Sequence, residues 1–302
     1  MDAKKELQGT LFAAAAFGLW GFLPVYWKLL SHIPAAETLS HRIIWSFLFT
    51  AGFLFFTGRG QSLHTLFRDR RRMGLIALGA FFVSVNWLVY IWAVNHSRIV
   101  EASLGYYINP LISFLIGVIV LGEAADRLKR LSIVLALGGV ALIAVGSGRP
   151  PWISLTLAFS FALYGLMKKT AQAEALPALA LETALATTPA LLYILLTAGP
   201  GAALGNAPVH IHFLLFFSGI VTAFPLFLFA LAANRIPLST IAFLQYLTPT
   251  INLVLATILY KEPFTPLHTA SFSLIWAGIM LFSFSRWQEY RRINRYEKIK
   301  PV

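Results

Sequence analysis

The sequence predicts an all-α polytopic membrane protein, ten transmembrane helices arranged as two inverted five-helix repeats. Three observations carry this. Of the 302 residues, 58% are hydrophobic and only 12% charged, about half the charged share of an ordinary soluble domain. Apolar runs of roughly 18–24 residues recur along the chain, the length that crosses about 30 Å of hydrocarbon at 1.5 Å per residue. Residues 93–146 also align without a gap on residues 232–285, with twelve of 54 positions identical, where roughly a tenth would match by chance. The matches pair Asn95 with Asn234, Tyr107 with Tyr246, Pro110 with Pro249, Glu123 with Glu262 and Gly139 with Gly278. Hydrophobicity alone would not select these types, so the chain is two related halves.

The first span, 8–30, follows Lys4 and Lys5 and has no small-residue cleavage site after it, so it reads as a signal anchor. Span two, 36–57, leads into the longest link, 58–72, which carries Arg59, Arg68, Arg70, Arg71 and Arg72. Spans three (73–94) and four (99–121) flank Arg98. Arg127, Lys129 and Arg130 mark the entry to span five (128–147). Arg149 separates it from span six (151–170), which ends on Lys168 and Lys169. Spans seven (177–197) and eight (210–232) precede Arg235. Span nine (237–260), Lys261 and span ten (265–285) lead into a tail with six basic residues between Arg286 and Lys300. With the N-terminus inside, 19 of the 24 basic residues face the cytoplasm, and the positive-inside rule places both termini there. The basic tail is expected to meet anionic lipid, not nucleic acid. Aromatic residues near the span ends suit interfacial belts. The lack of cysteine removes disulfide, thiolate and palmitoyl chemistry.

Five spans per half is an odd number, so the second half (148–302) enters the membrane from the side opposite to the first (1–147). The repeat extends weakly upstream: Phe17-Gly18-Leu19-Trp20-Gly21 resembles Phe161-Ala162-Leu163-Tyr164-Gly165, and Glu37-Thr38 resembles Glu182-Thr183. An inverted repeat lets two halves exchange conformations across an axis in the membrane plane, which is the requirement of alternating access.

Paired five-helix halves, each with Y-x-x-P in the fourth helix and Glu at its end, resemble the drug/metabolite transporter superfamily with two EamA-type domains. The run from Glu101 to Pro110 (EASLGYYINP), Ser40 to Ser46 (SHRIIWS), Asn86-Trp87 and Phe243-Leu244-Gln245-Tyr246 resemble the RarD-like subgroup. The resemblance covers essentially the whole chain. It implies a multi-pass carrier of a bacterial-type inner membrane that exports a small metabolite or drug-like solute, with spans five and ten peripheral. The chain departs from the family pattern at Leu259-Tyr260-Lys261-Glu262, where a small residue and Gly usually precede the Glu.

Several residues are costly inside a membrane and are therefore candidates for function. Arg42 lies about 9 Å below the outer surface, six residues into span two, where a guanidinium needs a partner. It is expected either to pair with Glu101 at the start of span four, with His41 beside them, or to snorkel to headgroups. Asn86, Tyr90, Tyr107, Asn109, Gln245 and Tyr246 are polar groups in spans three, four and nine. They read as interhelical hydrogen bonds taken singly and as a pocket lining taken together. Trp20 joins them as the repeat partner of Tyr164. Proline interrupts the helix ladder, and Pro110 with Pro249 occupy equivalent positions, so both are expected to act as hinges. Glu123 and Glu262 are expected to hold or cap neighbouring helices, and Gly139 and Gly278 to permit close packing.

Other chemistries fit poorly. Asp2, Asp69 and Asp126 lie outside the spans, so no intramembrane aspartyl dyad exists, and His41 has serines nearby but no orienting Asp. His96, His210, His212 and His268 have no metal spacing, and no Walker loop is present. The expected function is a non-enzymatic, cofactor-free secondary carrier of a small molecule, driven by the solute gradient or by protons at Glu101. A membrane-embedded enzyme or a channel is the alternative.

Overall fold

The computed structural model describes residues 3–57, 66, 68–122, 126–199, 203–233, 235–236, 240 and 244–299. Within hydrocarbon every backbone polar group needs a partner in its own segment, which leaves helices as the solution for such apolar runs. Among the described residues ten α-helices of eight residues or more result: α1 Ala3–Leu29, α2 Ala35–Phe56, α3 Arg70–Asn95, α4 Ile99–Leu121, α5 Arg127–Ser147, α6 Trp152–Ala171, α7 Ala175–Thr197, α8 Val209–Ala233, α9 Leu247–Val254 and α10 Pro266–Ile299. A single turn, Ala203–Asn206, precedes α8, and no strand occurs among the described residues. Among the described residues eight helices are long and apolar enough to span a membrane. The other two are α6, with Lys168 and Lys169 in its last turn, and α9, which is shorter.

Local chemistry sets several ends. Asp69 accepts the N–H groups of Arg71 and Arg72 at the start of α3, and Asp126 accepts that of Lys129 at the start of α5. Such caps satisfy donors that have no partner within the helix. Gly122 ends α4 in the left-handed conformation at φ 67°, open to glycine without steric cost.

Span nine departs from expectation. Among its described residues Thr240 and Leu244 are helical, a turn at Gln245 and Tyr246 follows, and a second helical segment from Leu247 passes into a π-helix over Leu255–Leu259. Pro249 therefore sits in the first turn, where its missing N–H costs no intrahelical bond. It does not interrupt a continuous helix as Pro110 does in α4. The tail also differs: α10 continues to Ile299, past the expected end at 285, through residues that favour helix.

The two halves interlock. α5 packs on α10, α2 on α7, and α4 on α9. α6 packs against α3 and α4, as α1 packs against α8 and α9. α2 packs on α8 as α7 packs on α3. Each of these contacts maps onto itself or onto another in the set when every helix is exchanged for the one five places later. Gly139 and Gly278 face the α5–α10 seam from opposite sides: a Cβ on Gly139 would lie 2.8 Å from the Ser271 carbonyl, and one on Gly278 2.8 Å from that of Ser132. The expected close packing is what these glycines serve.

Candidate functional site

Arg42 projects from α2 into the centre of the bundle and is only 3% exposed. Its guanidinium lies between two indole faces, 4.0 Å from the Trp87 ring centre and 5.0 Å from that of Trp27. Nε donates to Thr222 Oγ1 at 2.8 Å, and that hydroxyl passes its own proton to the Ser218 carbonyl. Helices α1, α2, α3 and α8 thus hold one cation by cation–π attraction and a single hydrogen bond. Nη1 has no partner. Tyr90 and Tyr106, in edge-to-face contact at 5.5 Å, lie within electrostatic range of it.

The expected Arg42–Glu101 pair is not formed. Glu101 instead accepts from Arg98 Nε at 2.7 Å, three residues earlier at the N-cap of α4. That partner needs no tertiary docking, and at 23% side-chain exposure Glu101 stays near the rim of the bundle. Neither does Arg42 snorkel, since it is buried. His41 is also buried, with Nε2 unpartnered, and lies near His212 of α8.

The amides serve largely as ties. Asn86 donates to the Leu157 carbonyl at 2.9 Å and to Ser160 Oγ at 3.1 Å, and accepts from the Tyr106 hydroxyl at 3.1 Å, joining α3, α6 and α4. Asn109 donates to the Ala158 carbonyl at 3.0 Å. Trp20 meets Phe17 and Phe229 in the α1–α8 seam. Gln245 stands in the turn before α9. Tyr107 reaches Thr250 Oγ1 of α9 at 2.7 Å and stacks on Tyr246.

At the face expected to be outer a carboxylate joins the two halves. Glu262 accepts the N–H groups of Ile99 at 2.9 Å and Val100 at 2.8 Å, capping α4 from the other half. Burial pushes its pKa upward, and the two backbone donors partly offset this. The departure before Glu262 does not disturb this cap: Lys261, at the position equivalent to Gly122, takes up the same left-handed conformation at φ 54°. Glu123 lies outside the described residues.

Four features of the centre escaped the sequence reading. Trp27 and Trp87 read as interfacial aromatics or motif residues, although a buried Arg remote from acids calls for aromatic faces. Asn252, buried with neither amide atom bonded, lies beside Tyr90. Glu182 is an intramembrane carboxylate, by itself a signal of function. It is 3% exposed and bonded to Lys168 Nζ at 3.0 Å and to the Tyr164 hydroxyl at 3.0 Å. Its repeat partner Glu37 accepts the Ala203 N–H at 2.7 Å. A cleft of about 10 Å³ beside Glu182, lined also by Leu75, Gly79 and Lys168, has room for a single water.

The EamA-like transporter family matches residues 7–145 and 151–284. A protein named RarD from Streptomyces exfoliatus is 43% identical over all of this chain and 97% of its own length. An uncharacterized transporter, YojE, of Bacillus subtilis (strain 168) is 43% identical over 95% of this chain and 97% of its own. A protein of known crystal structure superposes with a TM-score of 0.57 at 16% identity, covering 90% of this chain and 96% of that one; this likeness speaks for the fold alone.

Proposed function

The chain belongs to the EamA-like transporter family of the drug/metabolite transporter superfamily, as a RarD-like membrane transporter, and from that premise we propose that it is a secondary-active exporter working by alternating access. Its solute is a small metabolite or drug-like molecule held at the bundle centre around Arg42. The observation that carries this reading is that the more extensive interhelix contacts map onto one another when the halves are exchanged, with the repeat partners Tyr107 and Tyr246 stacked on each other. A fold with that property has a second state of similar packing, open to the opposite face. The two halves are 1–147 and 148–302.

The distribution of Lys and Arg supports a cytoplasmic N- and C-terminus in a bacterial-type inner membrane. In that orientation Glu262 joins the start of α4 at the outer face. The carrier reading is preferred to an enzyme or channel because Asn86 and Asn109 tie helices together and a single caged cation stands at the centre, with no nucleophile–base pair among the described residues. Solute counterflow in proteoliposomes tests it. A carrier accelerates uptake of labelled solute when unlabelled solute is preloaded, and the flux saturates; non-saturable flux indicates a channel, and chemical change of the solute an enzyme.

A further inference from the structure

We propose that the transported solute is a monocarboxylate with an apolar or aromatic body, bound through its carboxylate by Arg42; this rests on the carrier reading. Buried guanidinium groups are ordinarily balanced by a carboxylate, because aromatic faces replace only part of the lost hydration. Among the described residues the acids near the bundle are already engaged. Glu101 is paired with Arg98 and Glu182 with Lys168. Glu37 and Glu262 accept backbone N–H groups. Arg42 has Thr222 alone as a hydrogen-bond acceptor.

The unmet hydrogen-bonding capacity around Arg42 has a sign. Arg42 Nη1 and Trp27 Nε1 are buried donors without acceptors, and the Tyr90 hydroxyl and the Asn252 amide, likewise buried, lie within reach of one another beside them. An arriving group with two acceptor oxygens and one negative charge meets the guanidinium and its neighbours together, since the fork of Arg matches a carboxylate in two parallel bonds. A phosphate monoester carries nearly two charges at neutral pH and would leave one unbalanced beside a single cation. An uncharged solute would leave the guanidinium as it is. The surrounding walls are the rings of Trp27, Trp87, Tyr90 and Tyr106, suited to an apolar or aromatic body.

The test compares pairs of equal shape and unequal charge on the purified full-length carrier. Thermal unfolding is followed with benzoate, phenylacetate and 3-phenylpropionate, with their primary amides, and with phenyl phosphate. At least one acid is expected to raise Tm with an apparent affinity at least tenfold above that of its amide and of phenyl phosphate. Arg42→Met is expected to abolish that shift while leaving the ligand-free Tm unchanged or higher, because it removes an uncompensated buried charge. Arg42→Lys keeps a charge without the fork and is expected to retain a shift weakened about tenfold, and it serves if the Met variant does not fold. The proposal is overturned if no acid binds, if amides or phenyl phosphate equal the acids, or if Arg42→Met lowers the ligand-free Tm and leaves the acid's effect intact. Counterflow separates the two levels. Saturable exchange of the amides but not the acids sinks the carboxylate inference and keeps the carrier, whereas absence of exchange for every compound counts against the carrier itself.

Discussion

Tyr107 and Tyr246, equivalent residues of the two repeats, stack on one another with ring centres 6.4 Å apart and planes 18° from parallel. The axis relating the halves therefore passes between them, yet their bonding is unequal. Thr250 Oγ1 donates its proton to the Tyr246 carbonyl, so the 2.7 Å contact with Tyr107 is donated by the tyrosine. The residue equivalent to Thr250 in the first half is Leu111, which accepts nothing. In the exchange of conformations proposed above, Tyr246 would gain no such bond, so this tie would favour one of the two states.

Tyr107→Phe is accordingly expected to cost about 1 kcal/mol in the state seen here and to move the balance toward the other by about fivefold. The chain has no cysteine, so a single Val100→Cys reports on the change. Val100 is 4% exposed beside Glu262 and is expected to open to thiol reagents in the second state of the proposed cycle. Its labelling should speed up several-fold with Tyr107→Phe, and an unchanged rate would remove the tie from the mechanism.

The α5–α10 seam gives a matched pair of substitutions. Gly139→Ala drives a Cβ to 2.8 Å from the Ser271 carbonyl and from Ile275 Cγ1, whereas a Cβ on Gly138 meets nothing within 4 Å. Overpacking of this kind costs about 1–3 kcal/mol. In thermal unfolding of the purified protein Gly139→Ala should lower Tm and Gly138→Ala should not. Equal effects would mean that α5 and α10 pack less closely than described.

Lys261 is held at φ 54°, a conformation that costs a residue with a Cβ roughly 1–2 kcal/mol. Lys261→Gly should therefore raise stability by about 1 kcal/mol, and Gly122→Ala, at φ 67° in the other half, should lower it by a similar amount. Both are read from unfolding midpoints; a loss on Lys261→Gly would show that the lysine side chain contributes more than its backbone strain removes.

What was legible in the sequence follows from how each property is encoded. Span length and hydropathy are one-dimensional, and the duplication is preserved in Tyr107, Pro110, Gly139 and their partners, so helix number and two-fold relation could be read directly. Depth in the membrane is also one-dimensional, which is why Arg42 stood out. Its partner was not legible, because helical direction around α2 and α4 depends on packing. Arg98, three residues from Glu101 at the N-cap of α4, competes successfully as a local partner. The cage of Trp27 and Trp87 escaped for the same reason: an indole near a span end looks interfacial until the neighbouring helices are placed. Span nine misled through continuous hydropathy, which does not register the turn at Gln245 and Tyr246.

Glu182 raises the question of what drives the cycle. Among the described residues it is a carboxylate held inside the bundle by a cation, with 3% of its side chain exposed against 31% for Lys168. Removing Lys168 alone strands a buried charge with Tyr164 as its remaining side-chain donor. Lys168→Met is therefore expected to destabilise by about 2–3 kcal/mol, below the full figure for a wholly buried pair because the ammonium is partly hydrated. Lys168→Met with Glu182→Gln should recover most of that loss, since no charge remains to be balanced, and a double-mutant cycle of unfolding midpoints measures the coupling. The same variants bear on energy coupling. If protons drive flux, the group that binds them must be shielded in one state and reach water in the other, and Glu182 meets this description better than Glu101, already near the rim. Glu182→Gln should abolish solute movement driven by an imposed pH gradient while leaving counterflow within about twofold of the parent, and Glu101→Gln should spare both. Gradient-driven flux that survives Glu182→Gln would leave the solute gradient as the driving force and the Lys168 pair as a structural tie.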